Sequence, residues 1–240
     1  ATTITGTTID VGPNKLVADS AGNVGVGTAS PTLPLDIVSN ASADALKLRA
    51  RSGNDYATMT FSSNDGATKW ADIQSNVAKD LRFYTNGSSE TMRIDSAGIV
   101  TKPYQPAFLA QPATTILNIP TGASGNLNFD AERFDTNSDY SSGTFTAPVT
   151  GKYFLTVNFY FINLDSAASY YEGLLTTSNR TYYTIVDPDF GQDNVYFCLV
   201  LTVLADMDAG DTANISVHQG GGSSQTDISA SATFSGYLVA

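Results

Sequence analysis

The single histidine of the chain, His218, limits the nucleophilic chemistry that is possible. A Ser–His–Asp or Cys–His arrangement uses an imidazole as general base, so either one would have to use this residue. His218 stands beside the run Gly220 to Gly222, which predicts an exposed loop position. Cys198 is the only cysteine, so neither an intrachain disulfide nor a cysteine-based zinc site can form.

Three carboxylates along one short segment form a pattern that could hold a hard cation. Asp187, Asp189 and Asp193 belong to the segment DPDFGQD, which also contains a glycine. Carboxylate oxygens are ligands that Ca²⁺ prefers. The segment is not an EF-hand loop, because Cys198 occupies the position of the bidentate glutamate. Calcium is one interpretation and a solvated acidic turn is the other; no other cofactor is indicated.

Glycoside cleavage needs two carboxyl groups about 5 to 10 Å apart in a groove. The chain has 23 acidic residues, so some pair will meet that distance by chance. Sequence spacing alone therefore identifies no active site, and we expect no enzymatic activity.

Two tyrosine doublets with a nearby arginine are the candidates for a binding surface. Tyr170, Tyr171, Arg180, Tyr182 and Tyr183 stand among Ser, Thr and Asn residues. Tyrosine rings can stack on sugars or pack on a protein epitope while short polar side chains supply hydrogen bonds. The sequence thus predicts a receptor-binding surface here. The alternative is that each doublet places one ring in the core and one at a subunit contact.

The composition narrows the class of protein. Only 15% of the 240 residues are charged and 42% are hydrophobic, which is typical of an all-β protein rich in turns. The net charge of −11 leaves too few Lys and Arg residues to neutralise phosphates, so we expect no nucleic-acid partner. No run approaches the roughly 18 apolar residues of a membrane span, so no membrane insertion is expected.

The sequence pattern of residues 1–104 predicts a β-rich stalk of short repeats. Gly, Asn, Asp and Ser turns separate brief strand-like stretches, which are Thr3–Thr5, Lys15–Val17, Leu46–Arg49, Met59–Phe61, Leu81–Tyr84 and Met92–Ile94. The motif DSAG at residues 19–22 recurs at residues 95–98, which indicates stacked β units. Such strands bury little apolar surface alone, so we expect the chains of a homotrimer to intertwine or pack together.

The pattern of residues 105–240 predicts one compact head, and the prolines Pro103 and Pro106 mark its junction with the stalk. Its strands are longer than those of the stalk. Residues 152–163 and 195–204 alternate with apolar side chains on both faces. Burial on both sides is expected of a sandwich whose outer face packs against other subunits.

The head carries a specific string, FTAPVTGKY, at residues 145–153, and the segments AGDT at 209–212 and FSGYLV at 234–239 follow in order. These segments resemble the globular head of the complement first-component q subunit family, which is related to tumour necrosis factor. The resemblance implies a ten-stranded jelly-roll sandwich that assembles as a homotrimer. Residues 165–194 depart from the family pattern, and specificity loops are expected there.

The stalk has a resemblance of its own. Residues 23–31, 35–37 and 81–98 are similar to recurring blocks of bacteriophage tail-fibre and appendage proteins, and such blocks also occur in some bacterial surface proteins. Gly25 and Gly27 are expected to allow close backbone approach near a trimer axis.

Together the resemblances imply a tail fibre, which is an extracellular part of a bacteriophage virion. Its head would bind a bacterial surface receptor, either a glycan or an outer-membrane protein, and its stalk would contact other virion tail proteins. One alternative is a structural spike or decoration protein whose head only trimerises the stalk. Another is a bacterial surface adhesin.

Overall fold

The described part of the chain is built from β-strands. The computed structural model describes residues 16–39, 45–50, 52 and 55–240, and within these ranges it contains twenty strands and no helix. The predicted all-β class is confirmed. The chain divides into two compact units, Ala1–Thr101 and Lys102–Ala240. The predicted strand Thr3–Thr5 lies outside the described residues.

A three-stranded sheet opens the first unit, with strands β1 (Leu16–Ala18), β2 (Val24–Val26) and β3 (Leu35–Ile37). A side chain at Gly27, where φ is +76°, would overlap the carbonyl oxygen of Val38. A Cβ at Gly25 would lie 2.6 Å from the carbonyl oxygen of Thr28. The close backbone approaches at these two glycines are therefore made within the chain.

An antiparallel meander completes the first unit, with strands β4 (Ala57–Ser62), β5 (Lys69–Ser75), β6 (Leu81–Thr85), β7 (Ser89–Ile94) and β8 (Val100–Thr101). These bounds confirm the strands predicted at residues 59–61, 81–84 and 92–94. The strand predicted at Leu46–Arg49 is wrong, because residues 45–50 pair with no described strand and Leu46 and Leu48 stay exposed.

The turn that joins β1 to β2 recurs between β7 and β8. Asp19 Oδ1 accepts hydrogen bonds of 2.9 Å from the second and fourth following backbone N–H groups. Asp95 Oδ1 makes the same two bonds at the same length. Gly22 and Gly98 adopt φ values of +88° and +85°, which glycine tolerates best. The repeated DSAG motif thus encodes one turn geometry twice.

The first unit buries little apolar surface within one chain. Among the described residues, every fully buried aliphatic or aromatic side chain belongs to the second unit. On the meander, Met59, Phe61 and Trp70 are all exposed. Since a sheet needs a covered apolar face for independent stability, these side chains are available for contact with further chains.

Two six-stranded sheets form the second unit. Its strands are β9 (Ala107–Gln111), β10 (Gly122–Asn126), β11 (Ala131–Asp135), β12 (Tyr140–Ser141), β13 (Thr144–Thr146), β14 (Gly151–Leu164), β15 (Tyr170–Thr177), β16 (Thr181–Val186), β17 (Asn194–Met207), β18 (Thr212–Gly220), β19 (Asp227–Ile228) and β20 (Thr233–Leu238). Only β12 and β19 are shorter than three residues. The arrangement is a jelly-roll-like sandwich.

The sheets are named here by their central strands. The β14 sheet has the order β11-β9-β20-β14-β17, and β19 also pairs with β14. The β18 sheet has the order β12-β13-β18-β15-β16, and β10 also pairs with β18.

The core lies between the two sheets. Tyr153, Leu155, Val157, Phe159 and Phe161 alternate along β14 and are fully buried. β14 pairs with β17 along nearly its whole length and with β20 on its other side. The core strand predicted at residues 152–163 is therefore confirmed.

The FTAPVTGKY string has a local structural reason. The hydroxyl of Tyr153 donates to the carbonyl oxygen of Val149 at 2.7 Å, which holds the turn before β14. A Cβ at Gly151 would lie 2.6 Å from the carbonyl oxygen of Ala240, so only glycine leaves room for the last residue of the chain. The string therefore lets the start of β14 pack closely against the C-terminal segment.

Candidate functional site

The outer side of the β14 sheet exposes a row of large apolar side chains. Cross-strand register places Phe154 opposite both Leu204 and Tyr237, and it places Val200 on the same side of the sheet. We call this surface the apolar face; its members are Phe134, Phe154, Tyr196, Val200, Leu204 and Tyr237. Leu204 is 61% exposed and Tyr196 is 66% exposed. Monomers rarely leave so continuous a set of apolar side chains in water.

Polar side chains lie among the apolar ones on this side of the sheet, and one of their atoms is unsatisfied. The hydroxyls of Thr156 and Thr202 bond to each other at 2.7 Å. Asn158 Oδ1 is buried and has no hydrogen-bond partner among the described residues. An unpaired buried acceptor costs about 1 to 3 kcal/mol. A protein chain packed on this face could supply the missing donor.

The second surface is the outer side of the β18 sheet. Tyr170, Glu172 and His218 lie side by side there, and Tyr183 and Ile185 follow on the edge strand β16. We call these five residues the tyrosine face. Tyr183 is 64% exposed. The surface thus offers aromatic and apolar area beside a carboxylate and an imidazole.

Close packing organises one end of the tyrosine face. The rings of Tyr170 and His218 meet edge to face with centroids 5.4 Å apart. Glu172 Oε2 lies 3.8 Å from His218 Nδ1. A Cβ at Gly220 would overlap the Tyr170 ring, so the glycine lets this ring lie across the neighbouring strand. The Tyr170 ring therefore packs against the neighbouring strand while part of it stays accessible.

Strand alternation divides the predicted tyrosines between two environments. Tyr171 is fully buried, and its hydroxyl bonds to Thr226 Oγ1 at 2.6 Å and accepts from the Asp165 N–H at 3.1 Å. Burial raises the pKa of this hydroxyl above its ordinary value. Tyr182 packs partly against the core. The prediction that Tyr171 binds a receptor is wrong, because neighbours in a strand point to opposite faces.

Arg180 lies away from the tyrosine face. It belongs to the turn between β15 and β16, at the far end of β15 from Tyr170. Its Nη2 pairs with the Asp206 carboxylate at 2.9 Å, and its side chain is about half exposed. The predicted grouping of this guanidinium with Tyr170 is therefore not formed.

His218 is part of a sheet and not of a loop. It lies in β18, where it is half-buried between its neighbours, so the predicted exposed loop position is wrong. Cys198 is on the outer side of the other sheet, and no Cys–His pair is formed. Sequence reasoning also missed Glu172 and Ile185, although the period of two along β15 and β16 places them on the same face as Tyr170 and Tyr183.

The three predicted calcium ligands do not form a cluster. Asp187 Oδ1 accepts from the Asp189 N–H at 3.2 Å, as in an ordinary acidic turn. Asp193 turns to other partners, accepting from the Ser166 hydroxyl at 2.8 Å and from Gln225 Nε2 at 2.8 Å. These bonds, and above all the backbone N–H of Ser166, lower the pKa of Asp193. Within the described ranges no three His, Cys, Asp or Glu side chains are placed to hold a metal ion.

Comparisons with known proteins extend these observations. The C1q domain matches residues 107–239, more than half of the chain. The globular domain of zebrafish complement 1qA is 18% identical, with 57% of this chain and 98% of that chain covered and a TM-score of 0.43. Murine APRIL is 11% identical, with coverages of 56% and 98% and a TM-score of 0.41. No curated protein matches the chain significantly.

The described residues also contain no helix that is long and apolar enough to cross a membrane. The family match spans the whole sandwich from β9 to β20, including the string at residues 145–153. The chain therefore belongs to the C1q domain family.

Proposed function

We propose that this chain is the distal part of a bacteriophage tail fibre, in which a homotrimeric head attaches the virion to a bacterial surface. The observation that carries the proposal is the apolar face, an uncovered sheet surface on a head that follows a stalk whose described residues form no apolar core. Domains of this family typically form homotrimers, and they are generally binding or structural modules without enzymatic activity.

The energetics of the apolar face favour assembly. Burying one large apolar side chain stabilises a protein by about 1.5 to 3 kcal/mol. Six such side chains per subunit give a gross gain on the order of 10 kcal/mol, which is comparable with the cost of association. Stalk side chains such as Trp70 and Phe61 add apolar contact area along the fibre.

A threefold assembly would suit attachment. It presents three copies of the tyrosine face, so weak single contacts combine into strong overall binding. The exposed Tyr183 and the packed pair Tyr170 and His218 supply aromatic surface for a sugar ring or a protein epitope. We assign receptor contact to this face, because its polar and aromatic groups can hydrogen-bond as well as stack.

The tail-fibre context has separate support. The stalk segments at residues 23–31 and 81–98 are similar to blocks of tail-fibre and appendage proteins, and the DSAG turn is repeated as stacked β units require. A head that only trimerises a virion spike is the main alternative. A bacterial adhesin is the other.

Cell binding distinguishes attachment from a structural role. The fluorescently labelled full chain is mixed with a panel of Gram-negative and Gram-positive strains, and bound protein is measured by flow cytometry. We expect saturable binding to some strains, and we expect Tyr183→Ala to weaken it about tenfold, since aromatic anchors dominate binding surfaces. Tyr104→Ala, at an exposed tyrosine outside the face, is the matched control. Binding that Tyr183→Ala leaves unchanged would exclude the tyrosine face, and binding to no strain would favour the structural spike.

A further inference from the structure

A cleft of about 400 Å³ lies in the head, and none of its lining residues belongs to the apolar face or the tyrosine face. One wall is the segment of residues 114–120. The other is β10 with the residues that follow it, up to Asp130. Small-molecule sites usually measure about 300 to 1,000 Å³, so this cleft has room for a small ligand.

Backbone hydrogen bonds fix both walls. Ile116 exchanges two backbone hydrogen bonds of 2.8 Å with Ile228. On the opposite wall, the Leu127 N–H donates to the Ile215 carbonyl oxygen at 2.7 Å. Asp130 Oδ1 accepts from the Ala113 N–H at 2.9 Å and ties the ends of the walls together. Because the cleft is preformed, a ligand would lose little free energy in ordering it.

Several polar groups that line the cleft make no hydrogen bond within the described residues, although the Ser124 hydroxyl and Asp130 Oδ1 do. Asn118, Asn126 and Asn128 are exposed, and their side-chain amides make no hydrogen bond within the described residues. Each amide offers two donors and one acceptor. The second carboxylate oxygen of Asp130 is also unpaired in the described structure. Groups that both donate and accept at several points match the hydroxyls of a sugar.

The apolar and charged side chains of the lining favour a neutral ligand over an anion. Leu117 is 65% exposed, and together with Pro120 it supplies apolar surface on which the C–H face of a sugar ring can pack. The lining contains no Lys, Arg or His, and Asp130 is its only ionisable side chain. This carboxylate and the net charge of −11 repel anions. An acidic sugar or a phosphate is therefore disfavoured.

We propose that this cleft binds a neutral saccharide residue. The amides of Asn118, Asn126 and Asn128 hydrogen-bond its hydroxyls, while Leu117 and Pro120 pack on its C–H face. The cleft shares no lining residue with the tyrosine face, so the proposal holds whether or not the tyrosine face contacts a receptor.

Saturation-transfer difference NMR tests the proposal on the purified full chain. The probes are glucose, galactose, mannose and N-acetylglucosamine, each titrated into the millimolar range, with glucuronic acid as the acidic comparison. At least one neutral sugar should receive saturation, and glucuronic acid should not. Replacing both amides in Asn126→Ala/Asn128→Ala should weaken the affinity at least tenfold, since each lost hydrogen bond accounts for a several-fold change. The matched control is Asn214→Ala, at a strand asparagine on the outer side of the same sheet.

The side-chain amides of Asn126 and Asn128 make no hydrogen bond within the described residues, so their removal tests sugar contact without disturbing the fold. Saturation transfer that survives in the double variant would place the sugar elsewhere and overturn the proposal. Transfer to glucuronic acid alone, or to none of the sugars, would overturn it as well. The experiment measures neither cell attachment nor oligomeric state, so its failure leaves the proposed function standing.

Discussion

Replacing Tyr171 with phenylalanine removes one hydroxyl from the core of the head and changes almost no apolar area. The hydroxyl bonds to Thr226 Oγ1 at 2.6 Å and accepts from the Asp165 N–H at 3.1 Å. Both partners are buried, and the Asp165 N–H keeps a second acceptor in Thr226 Oγ1 at 3.2 Å. The bond to Thr226 Oγ1 is lost outright, and the bond from the Asp165 N–H is only partly replaced. We therefore expect a loss of about 1 to 2 kcal/mol in the free energy of unfolding.

Urea unfolding followed by circular dichroism measures this loss. The wild type and variants are compared at one protein concentration, because assembly makes apparent stability depend on concentration. Tyr183→Phe is the matched control: it makes the same chemical change at an exposed tyrosine of the same sheet, and we expect it to shift stability by less than about 0.5 kcal/mol.

The same pair of variants separates a structural role for Tyr171 from a binding role. Tyr171→Phe should leave cell attachment unchanged, since the ring never reaches the surface. If it unfolds like the control, or if it abolishes attachment while the fold is intact, the assignment of Tyr171 to the core is refuted.

Three further substitutions test interactions within the head. Hydrogen bonds, above all from the Ser223 backbone N–H, lower the pKa of the Asp165 carboxylate, so its stabilisation is present above the unfolded-state pKa of about 4 and is lost as the pH falls through the lower folded-state pKa. Asp165→Asn should therefore reduce the difference in melting temperature between pH 7 and pH 3, and an unchanged difference would contradict this. Gly173→Ala would push a methyl group into the buried ring of Phe159, and we expect a loss of about 1 to 3 kcal/mol. Gly220→Ala would place its methyl group against the ring of Tyr170, which is partly accessible and can move away, so we expect a smaller loss there. Equal losses at the two glycines would contradict the packing argument.

Much of the head was predictable because its strongest signals are local. The alternation of residues 152–163 identifies a long core strand. Both of its faces are apolar, however, and only the packing of the two sheets shows that Tyr153 and Phe159 face the core. The string at residues 145–153 is specific because Gly151 and Tyr153 each meet a geometric demand of the turn. The repeated DSAG turn was visible for the same reason.

The functional surfaces were less predictable because they depend on pairing between distant segments. Tyr170 and Tyr171 look equivalent in the sequence, and only the register with β18 shows that Tyr171 faces the core. Leu46–Arg49 has the residue types of a strand but no described neighbour to pair with. The asparagines at residues 118, 126 and 128 follow no pattern, since the walls of the cleft meet only through long-range hydrogen bonds.

The central claim is that the apolar face joins three chains. The most direct measurement is the solution mass of the full chain by light scattering over a hundredfold dilution. We predict three times the chain mass of 25.3 kDa at all concentrations, and monomers for Leu204→Asp, which places a charge opposite Phe154 on the face. Ser216→Asp, on the outer side of the β18 sheet, should remain trimeric. A wild-type monomer, or a Leu204→Asp variant that stays trimeric, would contradict the account.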